Sequence, residues 1–318
     1  LGGGVLFTNK TIQVMKKLYL GVFLGMLGLT EGYAQQDPHY TQYFDNMLFI
    51  NPAYAGSRGM LNMTGIHREQ WVGFDGRPRS STFSIHSPLS YESVGLGLTA
   101  VNDNVGPMNQ TMFYADASYT IKFKNHKGKL AFGVKGGINL INIGRDGLNS
   151  NTPDDPKLLQ NIRNNLNPNF GVGIYYHTPG FFIGVSTPKL LERSYDELST
   201  TNLERRHYFA TIGGVIRLSD KWKLRPTSLL KITEGAPLSL DLTAAAIYNE
   251  KLWLGANYRL LAAFGAFVQV QITPQFKIGV ASDFGTQRLR NYNNGSFEIM
   301  LSYDCLFKKE GIRSPRYF

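Results

Sequence analysis

The 318 residues include one cysteine, Cys305, so no intrachain disulfide and no thiolate metal cluster is available. Its neighbours on one strand face, Leu301, Tyr303 and Phe307, mark it as a small lipid-facing or core residue rather than a reactive thiol. Long apolar helices are missing as well. The run Leu18 to Leu29 is about twelve residues, whereas a helix needs about twenty to cross a bilayer. Acidic residues are scarce, 23 against 33 basic ones, and the net charge is +10. The basic residues recur singly inside the strands and no long Lys/Arg run or helix concentrates them, which argues against a nucleic-acid partner. The six histidines, His39, His67, His86, His126, His177 and His207, are scattered without a pair at helical metal spacing, so no metal site is expected.

Glycine and aromatic residues, by contrast, are abundant: 34 Gly and 13 % Phe, Trp and Tyr. They belong to the clearest pattern in the chain, Thr111 to Leu140. Thr111, Phe113, Ala115, Ala117, Tyr119, Ile121 and Phe123 alternate with Met112, Tyr114, Asp116, Ser118, Thr120 and Lys122. After a polar turn, Lys124 to Gly128, the alternation resumes with Leu130, Phe132, Val134, Gly136, Ile138 and Leu140 against Lys129, Ala131, Lys135 and Asn139. Each arm has about eleven to thirteen residues, twice the usual soluble strand and enough to cross a bilayer at a tilt. A soluble sandwich would bury the apolar face in a second sheet; a membrane barrel turns it to lipid and points Asp116, Lys122 and Lys135 into a lumen.

The rest of the chain favours the barrel. Fourteen strand candidates follow Leu61: 61–70, 80–87, 92–101, 111–123, 129–141, 169–177, 181–186, 206–218, 221–232, 237–248, 251–260, 263–273, 275–284 and 295–307. Every second link is short: Pro88 to Tyr91, Lys124 to Gly128, Thr178 to Gly180, Ser219-Asp220, Asn249-Glu250 and Pro274. Longer ones lie between them: Trp71 to Arg79, Asn102 to Gln110, Asn142 to Pro168, Thr187 to Arg205 and Gly285 to Asn294, with short exceptions at Thr233 to Ala236 and Leu261-Ala262. Outer-membrane barrels sort their loops in this way, short on the periplasmic side and long outside. The expected fold is all-β, a closed antiparallel transmembrane β-barrel of about fourteen strands. Its lumen would carry Lys122, Lys129, Lys135, Arg217, Lys223, Arg225, Lys231, Arg259 and Lys277 against Asp116, Asp241, Asp283 and Glu298. Lys or Arg on the lipid face would cost about 2–4 kcal/mol each at the midplane, so energetics alone turns them inward. The basic lumen is either an anion-favouring passage, a holder for a plug, or simply a solvated wall.

Four segments are expected. Residues 1–34 comprise an upstream extension and a signal peptide, with Met15, Lys16 and Lys17 ahead of the apolar run and cleavage after Ala34. Residues 35–60 have no period-2 pattern and are rich in aromatics; Tyr40, Tyr43, Phe44 and Met47 have helical spacing that Asn51-Pro52 would end. This segment either plugs the barrel and meets a periplasmic partner or packs against its base. Residues 61–307 form the barrel and 308–318 a tail. Export implies a bacterial envelope protein in the outer membrane.

Several blocks stand in a distinctive order: Asp37-Pro38 through Asn51-Pro52-Ala53-Tyr54-Ala55-Gly56-Ser57; His67-Arg68-Glu69-Gln70-Trp71-Val72-Gly73-Phe74; Arg77-Pro78-Arg79-Ser80-Ser81-Thr82-Phe83; Ser93-Val94-Gly95-Leu96-Gly97 with Asn102-Asp103; Leu224-Arg225-Pro226; Gly235 to Asp241; Leu252 to Arg259; and Ser314 to Phe318. Together they resemble the PorP/SprF family of outer-membrane proteins tied to Bacteroidota type IX secretion and gliding motility. The resemblance implies a barrel without enzymatic activity, cofactor or metal that supports export or surface retention of secreted cargo such as adhesins. It also implies a periplasmic peptidoglycan-binding lipoprotein and other type IX components as partners. The long loops 142–168 and 187–205 are where cargo contacts are expected. A diffusion porin is the alternative. An enzyme would need more than Ser84 and His86 on one strand face, since no orienting acid is evident. Gly95-Leu96-Gly97 and Gly171-Val172-Gly173 lie in strands and are not phosphate loops.

Overall fold

A computed structural model describes residues 38–89, 93–124, 127–144, 162–194, 203–286 and 292–305. The expected signal peptide and C-terminal tail lie outside the described residues. Fourteen strands form the wall: β1 (Leu61–Glu69), β2 (Arg79–Pro88), β3 (Val94–Val105), β4 (Met108–Lys122), β5 (Lys129–Ile143), β6 (Ile162–His177), β7 (Phe181–Thr187), β8 (His207–Gly214, continued by Ile216–Arg217), β9 (Trp222–Thr233), β10 (Ser239–Tyr248), β11 (Leu252–Arg259), β12 (Ala263–Gln271), β13 (Phe276–Gly285) and β14 (Ser296–Cys305). Each is antiparallel to its sequence neighbour. The sheet closes where β1 pairs with β14, from Leu61↔Cys305 to Glu69↔Phe297. Through the described strands, closure replaces the two free edges of an open sheet with a paired seam.

Period-2 alternation sorts the side chains as lipid requires. Leu98, Val134 and Phe170 on the outer face are 58–59 % exposed, while Asp116, Lys135, Arg225 and Asp241 on the inner face are at most 3 % exposed. Greasy residues thus meet the membrane and charged ones the interior.

Three expectations need correction. Asn102 to Gln110 is not a long loop: β3 and β4 run on to a two-residue turn at Gly106-Pro107, with Val105 opposite Met108. The alternation continues there with asparagines on the outer face. Asn102 donates to Thr111 at 2.9 Å, and Asn104 to Asn102 at 2.7 Å. The strand has passed out of the apolar belt without ending. Likewise β6 starts at Ile162 rather than at 169, and the rest of that long loop, residues 145–161, lies outside the described residues. The loop after β7 carries a short antiparallel pair, Arg193–Ser194 with Leu203–Glu204, and its residues 195–202 lie outside the description too.

The lumen charge set also changes. Lys122 and Arg217 have inward parity but stand at the mouth with the short turns; both are exposed, and the Arg217 side chain pairs with Asp220. Lys129 and Lys223 are half-buried near the same rim. In their place the interior holds Arg58, Arg68, Asp45, Asp103 and Asp304, all buried.

Candidate functional site

The interior is occupied by residues 38–58. Tyr43–Asp45 and Pro52–Tyr54 are single 3-10 turns and Met47–Ile50 is one α-helical turn, so the segment coils without building a helix of its own. Asn51 ends the middle turn and starts the last, its side chain accepting from the Ala53 amide at 2.9 Å with Pro52 as first residue. Tyr43, Phe44, Met47, Leu48, Ile50, Ala53 and Tyr54 are each no more than 3 % exposed. Burial of each large side chain contributes about 1.5–3 kcal/mol. The segment therefore forms the hydrophobic core together with inward wall residues such as Ile66, Tyr175, Phe182, Phe267 and Met300, between which the wall also presents polar groups.

It runs the height of the barrel. With the long loops placed outside, His39 lies near the outer mouth, its Nε2 3.3 Å from Lys231 Nζ and its Nδ1 3.9 Å from Asp241. Arg259 Nε reaches the same Asp241 at 2.8 Å. At the periplasmic mouth, Arg58 pairs with Asp304 at 3.0 Å. Between these ends the wall grips the segment on all sides. Arg68 bridges Asp283 and Glu298, both at 2.6 Å, and Glu298 also accepts the amides of Thr41 and Gln42. Asp45 pairs with Lys277, and the Arg225 guanidinium lies 4.0 Å from the centre of the Phe44 ring. Tyr43 Oη bonds Thr227 at 3.1 Å, Lys135 reaches the Leu48 carbonyl at 3.2 Å while pairing with Asp116 at 2.8 Å, and Ser186 donates to the Ile50 carbonyl at 2.9 Å.

Where the segment comes closest, the wall has glycine. A Cβ on Gly133 would overlap the backbone of Pro52 and Ala53, and one on Gly95 would overlap the Ala55 carbonyl. These notches let two backbones meet without intervening side chains. A void beside Phe49, Tyr114, Lys135, Pro188, Lys189 and Phe209 measures about 10 Å³, space for roughly one water.

Ser84 and His86 both face this interior and serve the same packing. Ser84 Oγ donates to Asn46 Oδ1 at 2.6 Å; His86 Nδ1 accepts the Gly56 amide at 3.1 Å, and its ring meets Tyr54 edge-on. Ser84 is thus bonded to an amide and not to the imidazole. Among the described residues no group of three His, Cys, Asp or Glu is placed to hold a metal ion.

The residues that build this interior coincide with the sequence blocks quoted above: the lumen segment itself, Arg68, Gly95, Arg225, Asp241 and Arg259. The model of the family described as "Type IX secretion system membrane protein PorP/SprF" matches residues 32–303. The chain belongs to the PorP/SprF family. No curated protein matches it. Among solved structures, the outer-membrane protein Omp33 of Acinetobacter baumannii is 7 % identical, with TM-score 0.45, covering 77 % of this chain and 98 % of its own. A TodX deletion mutant, a monoaromatic hydrocarbon channel, has TM-score 0.45 at 11 % identity over 82 % of this chain and 94 % of that one. The KdgM porin has TM-score 0.37 at 13 % identity over 76 % and 98 %. Family and closed barrel together place this PorP/SprF protein in the outer membrane, associated with type IX secretion.

Proposed function

We propose that this PorP/SprF protein is a filled, non-enzymatic scaffold that helps the type IX machinery export or hold particular cell-surface proteins, adhesins among them. The observation that carries the reading is the occupied lumen: residues 38–58 span it and are bonded to the wall at both mouths. A diffusion porin needs an open path, and interior cations such as Arg68, Lys135, Arg259 and Lys277 are spent in ion pairs. Function then rests on the two rims, with the periplasmic rim facing a peptidoglycan-binding lipoprotein and other machinery components, and the outer rim facing cargo.

One outer feature supports a surface role. Loop 70–78 is tied to its neighbours by Val72 N–H to the Gly295 carbonyl and Gly106 N–H to the Gly76 carbonyl, both 2.9 Å, and Trp71 holds a left-handed φ of 53°. Two outward polar rows, His67–Ser81–Asn102–Thr111 and Glu69–Arg79–Asn104–Asn109, separate it from the apolar belt. Trp71 and Phe74, 38 % and 44 % exposed, therefore stand clear of the lipid-facing aromatic girdle. Aromatic side chains on a braced loop are favourable anchors for a protein partner.

Deleting the gene is expected to remove one or a few adhesins from the cell surface, read by surface proteomics, while uptake of small solutes is unchanged. Unchanged surface proteins with reduced solute uptake would support the porin instead.

A further inference from the structure

The first and last strands meet along one seam, and the polar groups on its inner side are shared with the lumen segment. β14 and its neighbour β13 direct Asp283, Glu298 and Asp304 inward, all buried. At the periplasmic end, Asp304 accepts from Asn62 of β1 at 2.8 Å and from Arg58, which leads into β1, at 3.0 Å. One step up, Ser302 bonds Asn62 and Thr64 of β1 at 3.2 and 3.1 Å. At the outer end, Glu298 is held by Arg68 of β1 and by the Thr41 and Gln42 amides of the lumen segment. Asp283 accepts from the same Arg68 Nη1 as Glu298 does, and from the Thr41 hydroxyl.

We propose that residues 41–58 are the clasp of this seam, so that the segment cannot leave a closed barrel: its release and the parting of β1 from β14 are one event. The reason is electrostatic. Withdrawing the segment strips Glu298 of two amide donors and Asp304 of Arg58, and these same carboxylates hold Arg68 and Asn62 of β1, so the charges that tie the segment in also tie the seam together. Contacts near both ends of residues 41–58, Thr41 and Gln42 with Glu298 and Arg58 with Asp304, fall on the last strand. The clasp goes beyond the scaffold role and stands or falls without reference to cargo.

The test follows both events in the purified, detergent-folded protein. In a Cys305→Ser background, Leu48→Cys places a thiol on the lumen segment where it is 1 % exposed. Maleimide labelling at position 48 reports exit of the segment, and loss of the fast-migrating unheated gel band reports barrel opening. The expected result is one shared midpoint on heating. Glu298→Ala should move both midpoints down together and raise the labelling rate by roughly a hundredfold. Asp103→Asn, which removes an inner-wall carboxylate bonded to Ser80 away from the seam, should leave both in place. Labelling of a barrel that still migrates fast would overturn the proposal, as would a Glu298→Ala barrel that opens earlier without earlier labelling. Should Glu298→Ala fail to assemble, coincidence or separation of the two midpoints in the parent protein decides alone.

Discussion

Gly133→Val unseats the lumen segment and lowers stability by about 3 kcal/mol or more, because a side chain there has to displace backbone rather than a flexible side-chain tip. The Gly133 Cα faces the peptide between Pro52 and Ala53. That stretch is pinned by its own hydrogen bonds, from the Ala53 amide to Asn51 Oδ1 and from the Tyr54 amide to the Asn51 carbonyl at 3.1 Å, so it cannot yield locally. Neither can β5, which is paired along its length with β4 and β6. The matching control is Gly65→Val. A Cβ at Gly65 meets only the Thr82 carbonyl, at an ordinary 3.9 Å, on the lipid-facing side of β1. Denaturant unfolding in detergent should show a large loss for position 133 and a change within about 0.5 kcal/mol for position 65. Equal stabilities would mean that the segment does not occupy the notch.

Asp45→Ala has the second large effect. It leaves the Lys277 ammonium buried against the Trp253 ring, 5.2 Å from its centre, with the Arg225 guanidinium nearby and no carboxylate to neutralise it. Removing one member of a buried pair costs about 3–5 kcal/mol, most of it the desolvated charge left behind. Replacing both members by apolar residues of similar size, Asp45→Leu with Lys277→Met, removes that charge and should recover most of the loss. The same denaturant midpoints decide the matter. A double variant no more stable than Asp45→Ala would show that Lys277 is not the cause.

How far these features could be read from the sequence depended on how local their cause was. Strands were legible because alternation is a property of neighbouring residues, and all fourteen candidates correspond to strands of the wall. Alternation fixes which face a residue takes but not its depth along the strand. Lys122 has the same parity as Asp116, six residues away, yet ends outside the interior. Asparagines hid the continuation of β3 and β4, since a strand that rises above lipid has polar residues on both faces. Arg68 escaped notice for the same reason: His67 and Glu69 flank it, so no apolar partner marks its face. The lumen segment lacks any period because its contacts are scattered over strands far apart in sequence, from Thr82 on β2 to Glu298 on β14. Its richness in buried aromatics was visible, but the choice between plugging the barrel and packing beneath it was not. The glycines showed as unusual positions within strands, and only the opposing backbone explains them.

The segment also explains why composition pointed two ways. A basic interior would favour anions if it were open, yet the same cations are what hold Asp45, Asp241 and the last-strand carboxylates in place.

Purified protein reconstituted into planar lipid bilayers gives the most direct measurement of the filled lumen. Insertion confirmed by protease-protected protein in the same membranes should be accompanied by no steady conductance steps under applied voltage. Long-lived open steps of uniform size from the intact chain would contradict the account at its centre.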